Sequence, residues 1–427
     1  MIKHVDSHSP RRTVVTGIGV ITPIGLDVPT FWKNVSQGIS GAAPVTRFDT
    51  SRLPVKIAAE VKGFVLTDYF PELNEKRFNR TVQYAISAAS NAMKDAGLDA
   101  TMVDPRRIGV VEGTTVSGAD SVMNMQNRYK DKQSYRAVHP YDIVSAYCGE
   151  GSSSISLYLG LKGPAMTYCS GCASSNDAIG YAVKMIQQDE LDVVLAGGSE
   201  EVTEMLFAGF CKLRSMSENN ENPTQAARPF DRKRDGFVLG EGSVFLVVEE
   251  LTHALARGAN IYAEISGHGR SSEAYHATDP DPEGLGYQAA IEQALREAKI
   301  SPDEIDYLNA HGSGTPKNDP IETFSVKQVF GAQAYRLGIS ASKPVLGHMM
   351  GASGAAESAV TVLAIKHEQM PPTINLTEPD DGCDLDYVLQ PRAYPIRAAA
   401  NLNAGFGGRY SCLIFRRFEN GGRNGFS

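Results

Sequence analysis

The sequence predicts an α/β fold built from two similar halves, because the same series of segments occurs twice along the chain. In each half a buried strand leads into a glycine loop, and an alanine-rich helix and further strands ending in small residues follow. The repeated segments are strands at residues 12–19 and 261–269, helices at residues 82–97 and 287–298, and closing glycine-rich hairpins at residues 236–246 and 403–413. This alternation of strands and helices predicts sheets with helices packed on their faces.

The repeat divides the chain into an N-terminal half, residues 12–255, and a C-terminal half, residues 256–417. Residues 117–160 have no counterpart in the second half, and we expect them to form a cap or a subunit contact. The polar ends, residues 1–11 and 420–427, are expected to be flexible.

Composition and charge restrict the classes of function. The chain has 427 residues, of which 42% are hydrophobic, so it can bury a large core. Its net charge of -8 argues against nucleic acid as a partner. No apolar stretch reaches the ~20 residues needed to span a bilayer, and no signal segment is recognised, so we expect no membrane association and a cytoplasmic location.

The six cysteines show no paired zinc pattern, so no metal site is predicted. Cys169 and Cys172 have the CxxC spacing of redox motifs, but no thioredoxin-sized βαβ context accompanies them. We therefore disfavour a redox role and expect Cys169 to line the core.

Cys172 is the candidate nucleophile. It lies where an apolar run ends in small residues and a helix begins, and the N–H groups at a helix start favour a thiolate. A lone cysteine is more often a buried structural residue, and a single histidine more often bonds to backbone. His311 and His348, however, both lie in small-residue loops, so one thiol and two imidazoles indicate covalent catalysis with two hydrogen-bond donors. Pseudo-symmetric halves would bring these loops together at their junction.

Seven motifs are spread over the chain: VTGIG at 15–19, GPAMTYCSGCASS at 163–175, ARPFD at 227–231, RDGFVLGEG at 234–242, NAHGSGT at 309–315, SKPVLGH at 342–348 and GFGG at 405–408. In these motifs the chain resembles the condensing enzymes of the thiolase superfamily, most of all β-ketoacyl-acyl-carrier-protein synthase II and its discrete relatives in polyketide pathways. The resemblance extends from Arg12 to about Arg417. It implies a thiolase-like, five-layered αβαβα fold, a tight dimer and a decarboxylative Claisen condensation.

The resemblance also implies a role for each motif residue. Cys172 receives the acyl group, and His311 and His348 donate Nε2–H to the thioester oxygen of a malonyl unit that loses CO2. Lys343 is a buried catalytic lysine that orients the histidine pair, and Glu357 is its structural counter-ion. The Cys172 and Phe406 amides form the oxyanion hole, and the Phe406 ring gates the nucleophile.

Substrates and partners follow from the same resemblance. No cofactor is expected, because the substrates are carried on the phosphopantetheine of an acyl carrier protein. Ser313, Thr315 and Phe406 are candidates for binding the substrate and its pantetheine arm, although a Ser/Thr pair in a loop is usually turn chemistry. Carrier proteins are acidic, so a basic docking patch is expected. Its candidates are Arg52, Lys62, Lys76, Arg77, Arg80, Arg214 and Lys317.

Three departures from the family pattern concern the expected acyl pocket. Glu112 ends an apolar strand, residues 147–154 are more polar than usual, and Arg409-Tyr410 replaces a small or polar pair. We therefore expect Glu112, Val116 and Glu150 to tune the pocket for a functionalised chain, as in polyketide or polyene biosynthesis, and Glu112 to bond nearby backbone or an arginine.

Several alternatives stay open at this point. Housekeeping fatty acid elongation is the second interpretation of the same reaction, and a decarboxylase-only or cyclising variant is a third. A non-catalytic chain-length partner lacks the nucleophile, and a thiolase has a second cysteine and a differently spaced histidine. The active dimer has either two identical subunits or one ketosynthase-like chain-length partner.

Overall fold

The computed structural model describes residues 10–419 of the chain. Residues 1–9 and 420–427, where the sequence predicts flexible ends, lie outside this range. At the start of the range the Arg11 guanidinium donates to the Leu191 carbonyl at 3.0 Å and to the Asp189 carboxylate at 2.9 Å. Within residues 10–419 no helix combines the length and the hydropathy needed to cross a membrane.

Ten strands are joined in one hydrogen-bonded series that consists of two sets of five. The strands, in chain order, are β1 (Thr13–Ile21), β2 (Ala43–Pro44), β3 (Ile57–Ala58), β4 (Ile108–Gly113), β5 (Ala165–Tyr168), β6 (Val193–Glu200), β7 (Gly242–Glu250), β8 (Ala263–Ser272), β9 (Tyr307–Asn309), β10 (Gly338–Ser340), β11 (Gln369–Met370), β12 (Arg392–Ala393), β13 (Ala398–Gly405) and β14 (Arg409–Arg416). From the junction outwards one set runs β1-β7-β6-β4-β5 and the other β8-β14-β13-β9-β10. Both sets therefore have the same order of first, fifth, fourth, second and third strand.

Helices separate and cover the two sets of strands. They are α1 (Val28–Ser36), α2 (Arg80–Asp95), α3 (Ala119–Lys132), α4 (Asp142–Ser145), α5 (Glu150–Leu159), α6 (Ser174–Gln187), α7 (Glu204–Leu213), α8 (Leu251–Ala256), α9 (Leu285–Ala298), α10 (Asn318–Phe330), α11 (Lys343–Leu346) and α12 (Ser353–His367). The central α6 and α12 contact each other, α6 packing on β4 and β6 and α12 on β13. On the outer faces α2 packs on β1 and β7, and α9 on β8 and β14. This arrangement confirms the predicted five-layered αβαβα fold.

Paired glycines explain why the first strand of each half looks alike in sequence. A Cβ atom on Gly17 or Gly19 would collide with the backbone carbonyl of Ala92 or Ala88 in α2. At the equivalent positions, Gly267 and Gly269, a Cβ atom would collide with backbone carbonyls of α9. The alternating glycines therefore let each outer helix approach its sheet closely.

The closing hairpin is present only in the second half, where β13 pairs antiparallel with β14. The hairpin predicted at residues 236–246 is wrong, because β7 begins only at Gly242 and pairs with β1 and β6. Residues 236–240 instead run extended over the candidate site, and the His348 N–H donates to the Val238 carbonyl at 2.7 Å. Gly236 makes this path possible, since its φ is 140° and a Cβ there would collide with the Ser215 carbonyl.

The insertion at residues 117–160 contains α3, α4 and α5. Helix α5 packs on α2, β4 and β5, whereas α3 and α4 present large apolar side chains to the surface. These exposed side chains are Val122, Met123 and Tyr129 in α3 and Ile143 and Val144 in α4; Tyr135, Tyr141 and Tyr147 in the adjoining connections and Leu157 in α5 are exposed as well. Beside them β5 is the edge strand of its set, with no strand on its outer side among the described residues.

Candidate active site

A cavity of about 270 Å³ lies where loops of the two halves meet, and Cys172, His311, His348 and Phe406 all line it. Cys172 follows β5 and His348 follows β10, which is the equivalent strand of the second half. His311 follows β9, and Phe406 lies in the turn between β13 and β14. The duplicated topology thus brings a thiol and two imidazoles to one site from segments far apart in sequence.

Cys172 lies two residues before α6 and is only 5% exposed. Burial raises the pKa of its thiol to about 12; Lys343 opposes this shift, and Glu200 and Glu357 add to it. Desolvation of the sulfur thus opposes the thiolate that the helix start was expected to favour.

His311 is held as a neutral imidazole with its proton on Nε2. Its Nδ1 accepts the Ala404 backbone N–H at 3.2 Å and lies 3.3 Å from the Lys343 ammonium. Because both neighbours are donors, Nδ1 must be the unprotonated nitrogen. Burial, with the positive charge of Lys343 and the neighbouring His348, lowers the pKa of His311 well below 6.5.

His348 is the second neutral imidazole of the site. The Ser353 hydroxyl lies 2.9 Å from its Nδ1, and a hydroxyl that donates there leaves the proton on Nε2. The Phe237 ring packs against the imidazole edge to face, 4.8 Å between centroids. Burial and Lys343 lower the pKa of His348 well below 6.5. The two imidazole rings are 5.6 Å apart and nearly perpendicular, at 84°.

Lys343 and Glu357 form an ion pair that is buried among these groups. Their side chains are each 1% exposed, and Nζ lies 2.6 Å from Glu357 Oε1. The same ammonium donates to the His311 carbonyl, while Glu357 Oε2 accepts the Asn403 amide. Burial raises the pKa of Glu357, and Lys343 opposes that rise. The ion pair therefore fixes the His311 segment against α12.

Two backbone N–H groups are available at the same place. A Cβ on Gly405 would lie 3.0 Å from the Cys172 nitrogen, and one on Gly171 would lie 3.5 Å from the Phe406 nitrogen. The two loops approach so closely only because both positions are glycine. Within residues 10–419 neither the Cys172 N–H nor the Phe406 N–H has a backbone or side-chain acceptor. The Phe406 side chain is 39% exposed at the cavity.

Ser313 and Thr315 line the outer part of the cavity, and their hydroxyl oxygens are 2.8 Å apart. Of the seven basic candidates, Arg214 and Lys317 border this cavity. The Lys317 ammonium pairs with Asp279 at 2.5 Å. Among the described residues no group of three or more His, Cys, Asp or Glu side chains is arranged to hold a metal ion.

Glu112, Val116 and Glu150 do not line the cavity that contains Cys172. Side chains alternate between the faces of a strand, and Glu112 shares its face with Val110, on the side of α2 and α5. A Cβ on Gly151 of α5 would collide with the Glu112 carboxylate. Sequence alone does not say which face of β4 is turned toward the nucleophile.

Of the partners expected for Glu112 no arginine is found among the described residues, and both carboxyl oxygens are buried without a hydrogen bond of normal geometry, although the Ser199 hydroxyl and the Ser152 backbone N–H lie close enough to lower its pKa. Burial raises the pKa of Glu112 to about 8 and that of Glu150 to about 7. Glu112 is therefore largely a neutral carboxylic acid at neutral pH. A second correction concerns Cys169, which is exposed rather than in the core, because it lies in the loop after the edge strand β5.

Sequence reasoning missed the groups that hold the histidines. Both carboxyl oxygens of Glu322 accept backbone N–H groups, from His311 at 2.7 Å and from Gly312 at 2.8 Å. Burial raises the pKa of Glu322 to about 8. Ser353, which bonds His348, and the segment at residues 236–240 were not identified either. Glu322 lies in a helix without a clear apolar stripe, so its spacing gives no signal.

Two family models match the chain, "Beta-ketoacyl synthase, N-terminal domain" over residues 11–254 and "Beta-ketoacyl synthase, C-terminal domain" over residues 262–377. The chain belongs to the β-ketoacyl synthase family. It is therefore a condensing enzyme of the acyltransferase class, as the motifs predicted.

Full-length relatives are found among curated proteins and solved structures. A "3-oxoacyl-[acyl-carrier-protein] synthase 2" of Coxiella burnetii is 41% identical, with 95% of this chain and 99% of that protein covered. One of the same name from Synechocystis is 40% identical, with 96% and 99% covered. The structure described as "The ishigamide ketosynthase/chain length factor" has a TM-score of 0.91 and 34% identity, with 96% of this chain and 100% of that chain covered. The structure described as "AntDE:AntF (apo): type II PKS acyl-carrier protein in complex with its ketosynthase bound to the hexaketide" has a TM-score of 0.89, 34% identity and the same coverage.

Proposed function

We propose that this ketosynthase holds an acyl group on Cys172 and condenses it with malonyl-acyl carrier protein to give 3-oxoacyl-acyl carrier protein. The observation that carries the proposal is the convergence of one thiol, two neutral imidazoles and two free backbone N–H groups on one cavity. That set fits a reaction in which a thioester is attacked and an enolate is stabilised.

In the first half of the reaction, the sulfur of Cys172 attacks the carbonyl carbon of an acyl-carrier thioester. The N–H groups of Cys172 and Phe406 stabilise the tetrahedral oxyanion, a contribution of roughly 3 kcal/mol per donor. The carbon–sulfur bond to the carrier breaks, and the departing thiolate takes the proton that the Cys172 thiol loses. Phe406, exposed at the cavity, is placed to gate access to the sulfur.

In the second half, malonyl-carrier protein loses CO2 and its thioester becomes an enolate. The Nε2–H groups of His311 and His348 donate to the enolate oxygen, which they do as neutral imidazoles. The enolate carbon attacks the acyl carbonyl, the new carbon–carbon bond forms, and Cys172 leaves as a thiolate that is reprotonated. Lys343 keeps His311 unprotonated at Nδ1, and Glu357 balances its charge.

The partners of the reaction follow from its chemistry. Ser313 and Thr315 are proposed to bond the pantetheine arm, and Arg214 and Lys317 to meet the acidic carrier protein at the cavity mouth. Nucleophile and electrophile both arise from thioesters, so the reaction uses no resident metal or redox cofactor. We propose a dimer through β5 and the apolar surface of α3 and α4, with an identical or a chain-length subunit. The free state of Cys148, Cys169, Cys172, Cys211, Cys383 and Cys412 supports a cytoplasmic location.

The acyl chain is proposed to be a functionalised one of specialised metabolism. The support is a structural neighbour at 34% identity that is described as a type II PKS ketosynthase bound to the hexaketide. The relatives at 40–41% identity are named for 3-oxoacyl synthesis, and the structural neighbours at 34% include polyketide enzymes. Similarity alone does not separate these pathways, so fatty acid elongation is the alternative that the experiment must address.

Single-turnover product analysis tests the reaction. Wild-type enzyme with acyl- and malonyl-carrier protein should give the 3-oxoacyl product, whereas Cys172→Ala should lose condensation and acyl transfer but keep malonyl decarboxylation. His311→Ala and His348→Ala should still accept the acyl group but decarboxylate at least ~100-fold more slowly. Condensation by Cys172→Ala at the wild-type rate would contradict the proposal. It would indicate that Cys172 is not the nucleophile and that another residue carries the acyl group.

A panel of saturated, hydroxylated and polyunsaturated acyl-carrier proteins tests the choice of chain. We expect the functionalised groups to be loaded and extended faster than the saturated group of equal length. Equal turnover across the panel would overturn the specialised assignment and leave the condensation itself intact.

A further inference from the structure

A second polar network lies behind the nucleophile loop, and none of its members lines the cavity. It joins Asp177, in the first turn of α6, to His268, in β8 of the other half. His268 is only 2% exposed, and Asp177 is also buried. The network therefore crosses the junction of the two halves directly beneath the segment that carries Cys172.

Both carboxyl oxygens of Asp177 are occupied. Oδ2 accepts the Ser170 hydroxyl at 2.6 Å, and Oδ1 lies 3.3 Å from His268 Nε2, which is also 3.2 Å from the Ser411 hydroxyl. Within residues 10–419 no lysine or arginine pairs with this carboxylate. Burial alone would raise the pKa of Asp177, but the bonds from His268, Ser170 and Ser411 outweigh it and lower that pKa. The Asp177 carboxylate is thus stabilised by His268 and two hydroxyl groups.

His268 serves as one of these donors in a single orientation. Its Nδ1 has no partner, and a Cβ on Gly180 would collide with the imidazole ring. The ring is therefore held with Nε2 directed toward Asp177 and the Ser411 hydroxyl. A carboxylate of Glu297 lies 3.3 Å from the His268 backbone nitrogen, and Lys184 lies 3.9 Å from Glu297.

Ser170 connects this network to the nucleophile, which is two residues further along the chain. The Ser170 N–H donates to the Ser174 hydroxyl at 2.9 Å, at the start of α6. On its other side the Ser170 carbonyl faces the Phe406 turn, where a Cβ on Gly405 would lie 2.7 Å from that oxygen. The position of Ser170 therefore sets how the Cys172 segment lies against the Phe406 N–H.

We propose that His268 and Asp177 are positioning residues for acyl transfer: through Ser170 they hold Cys172 in register with the Phe406 turn. The inference rests on the proposed role of Cys172 as nucleophile. It concerns the first half of the reaction only, because His311 and His348 are held by Lys343, Glu322 and Ser353, which are not part of this network.

The two half-reactions, measured separately, test this role. Ser170→Ala and His268→Leu should slow acyl transfer from acyl-carrier protein to Cys172 about tenfold, the cost of one hydrogen bond to a charged group. His268→Gln, which keeps an N–H near the Nε2 position, should stay within about threefold of wild type. Malonyl decarboxylation should stay within about twofold for all three, since its donors are untouched. Ser156→Ala is the matched control, because its hydroxyl donates to the Leu161 carbonyl away from the site.

Acyl transfer at the wild-type rate by His268→Leu and Ser170→Ala would overturn the inference. So would a parallel fall in both half-reactions, which would mark a general structural role. If wild-type enzyme forms no acyl adduct on Cys172, the proposed function fails instead, and the two failures are thereby distinguished.

Discussion

Replacement of Lys343 by methionine keeps the length of the side chain and removes its charge. Glu357, 1% exposed and 2.6 Å from the Lys343 ammonium, then becomes a buried carboxylate without a cation. Breaking a buried ion pair in this way costs about 3–5 kcal/mol of folding free energy. The double variant K343M/E357Q removes both charges, and the Asn403 amide can still donate to the new glutamine. We expect it to recover to within about 1–2 kcal/mol of wild type.

The pH dependence of K343M follows from the same charge. Burial raises the pKa of Glu357 and Lys343 opposes the rise, so loss of Lys343 raises that pKa further above the unfolded value of 4.5. The folded variant then binds a proton that the unfolded chain has released, and low pH favours folding. The deficit of K343M should therefore be largest at pH 8 and shrink as the pH falls toward 5. The deficit of K343M/E357Q should change less over this range, because it lacks the titrating Glu357 carboxyl group.

Urea unfolding followed by circular dichroism, at one protein concentration, measures these differences. The reasoning is refuted if K343M is as stable as wild type at pH 8, or if the double variant is no more stable than K343M. A malonyl decarboxylation assay on the stable double variant separates the two roles of the lysine. Decarboxylation should remain impaired, because the Lys343 donor to the His311 segment is still missing.

Three further predictions address the nucleophile, the orphaned carboxyl group and the loop contact. Since burial raises the pKa of Cys172 to about 12, its alkylation by iodoacetamide should become about tenfold faster per pH unit from pH 7 to 10, and a plateau near pH 7 would contradict that raised pKa. Glu112→Met removes two unpaired buried oxygens and should stabilise the protein by about 1–3 kcal/mol at pH 7 in urea unfolding, whereas a destabilised variant would indicate a missing partner. Wild-type stability should fall as the pH rises from about 5 to 8, because burial raises the pKa of Glu112 to about 8 in the folded state, and the fall should be smaller in Glu112→Met, which keeps only the contributions of other buried carboxyl groups such as Glu322. Gly405→Ala places a Cβ 3.0 Å from the Cys172 nitrogen and should lower acyl transfer at least ~100-fold, measured by adduct formation against Gly209→Ala, an exposed glycine of α7 with open space around it.

The duplicated fold was accessible from the sequence because its signals are local. Gly17 and Gly19 in β1, and Gly267 and Gly269 in β8, repeat because each pair admits an outer helix at the same contact. Because the same contact between strand and helix occurs in both halves, the same glycine spacing occurs twice in the sequence. Two halves related in this way place the loops after their equivalent strands next to each other. The hairpin predicted at residues 236–246 failed for the opposite reason. Its glycines allow an extended segment to pass beside His348, which is far away in the sequence. The local sequence pattern of such a segment looks the same as that of a turn.

Two features of the site could not be predicted from the sequence: which face of a strand is turned toward the nucleophile, and which residues form hydrogen bonds with the catalytic side chains. Glu112 belongs to the outer face of β4, and one strand without an assigned partner does not say which face is turned toward the nucleophile. The carboxylate of Glu322, the hydroxyl of Ser353 and the contact between Asp177 and His268 depend on helices that meet only in the folded chain. Burial likewise raises the pKa of the Cys172 thiol, an effect that helix position alone does not indicate.

Peptide mapping of the acyl-enzyme tests the central claim most directly. The enzyme is incubated with an acyl-carrier protein, digested and analysed by mass spectrometry, before and after malonyl-carrier protein is added. The account predicts one acyl adduct, on the peptide that contains Cys172, which disappears on addition of malonyl-carrier protein as the 3-oxoacyl product forms. An adduct on another residue, or condensation without any adduct on Cys172, would contradict it.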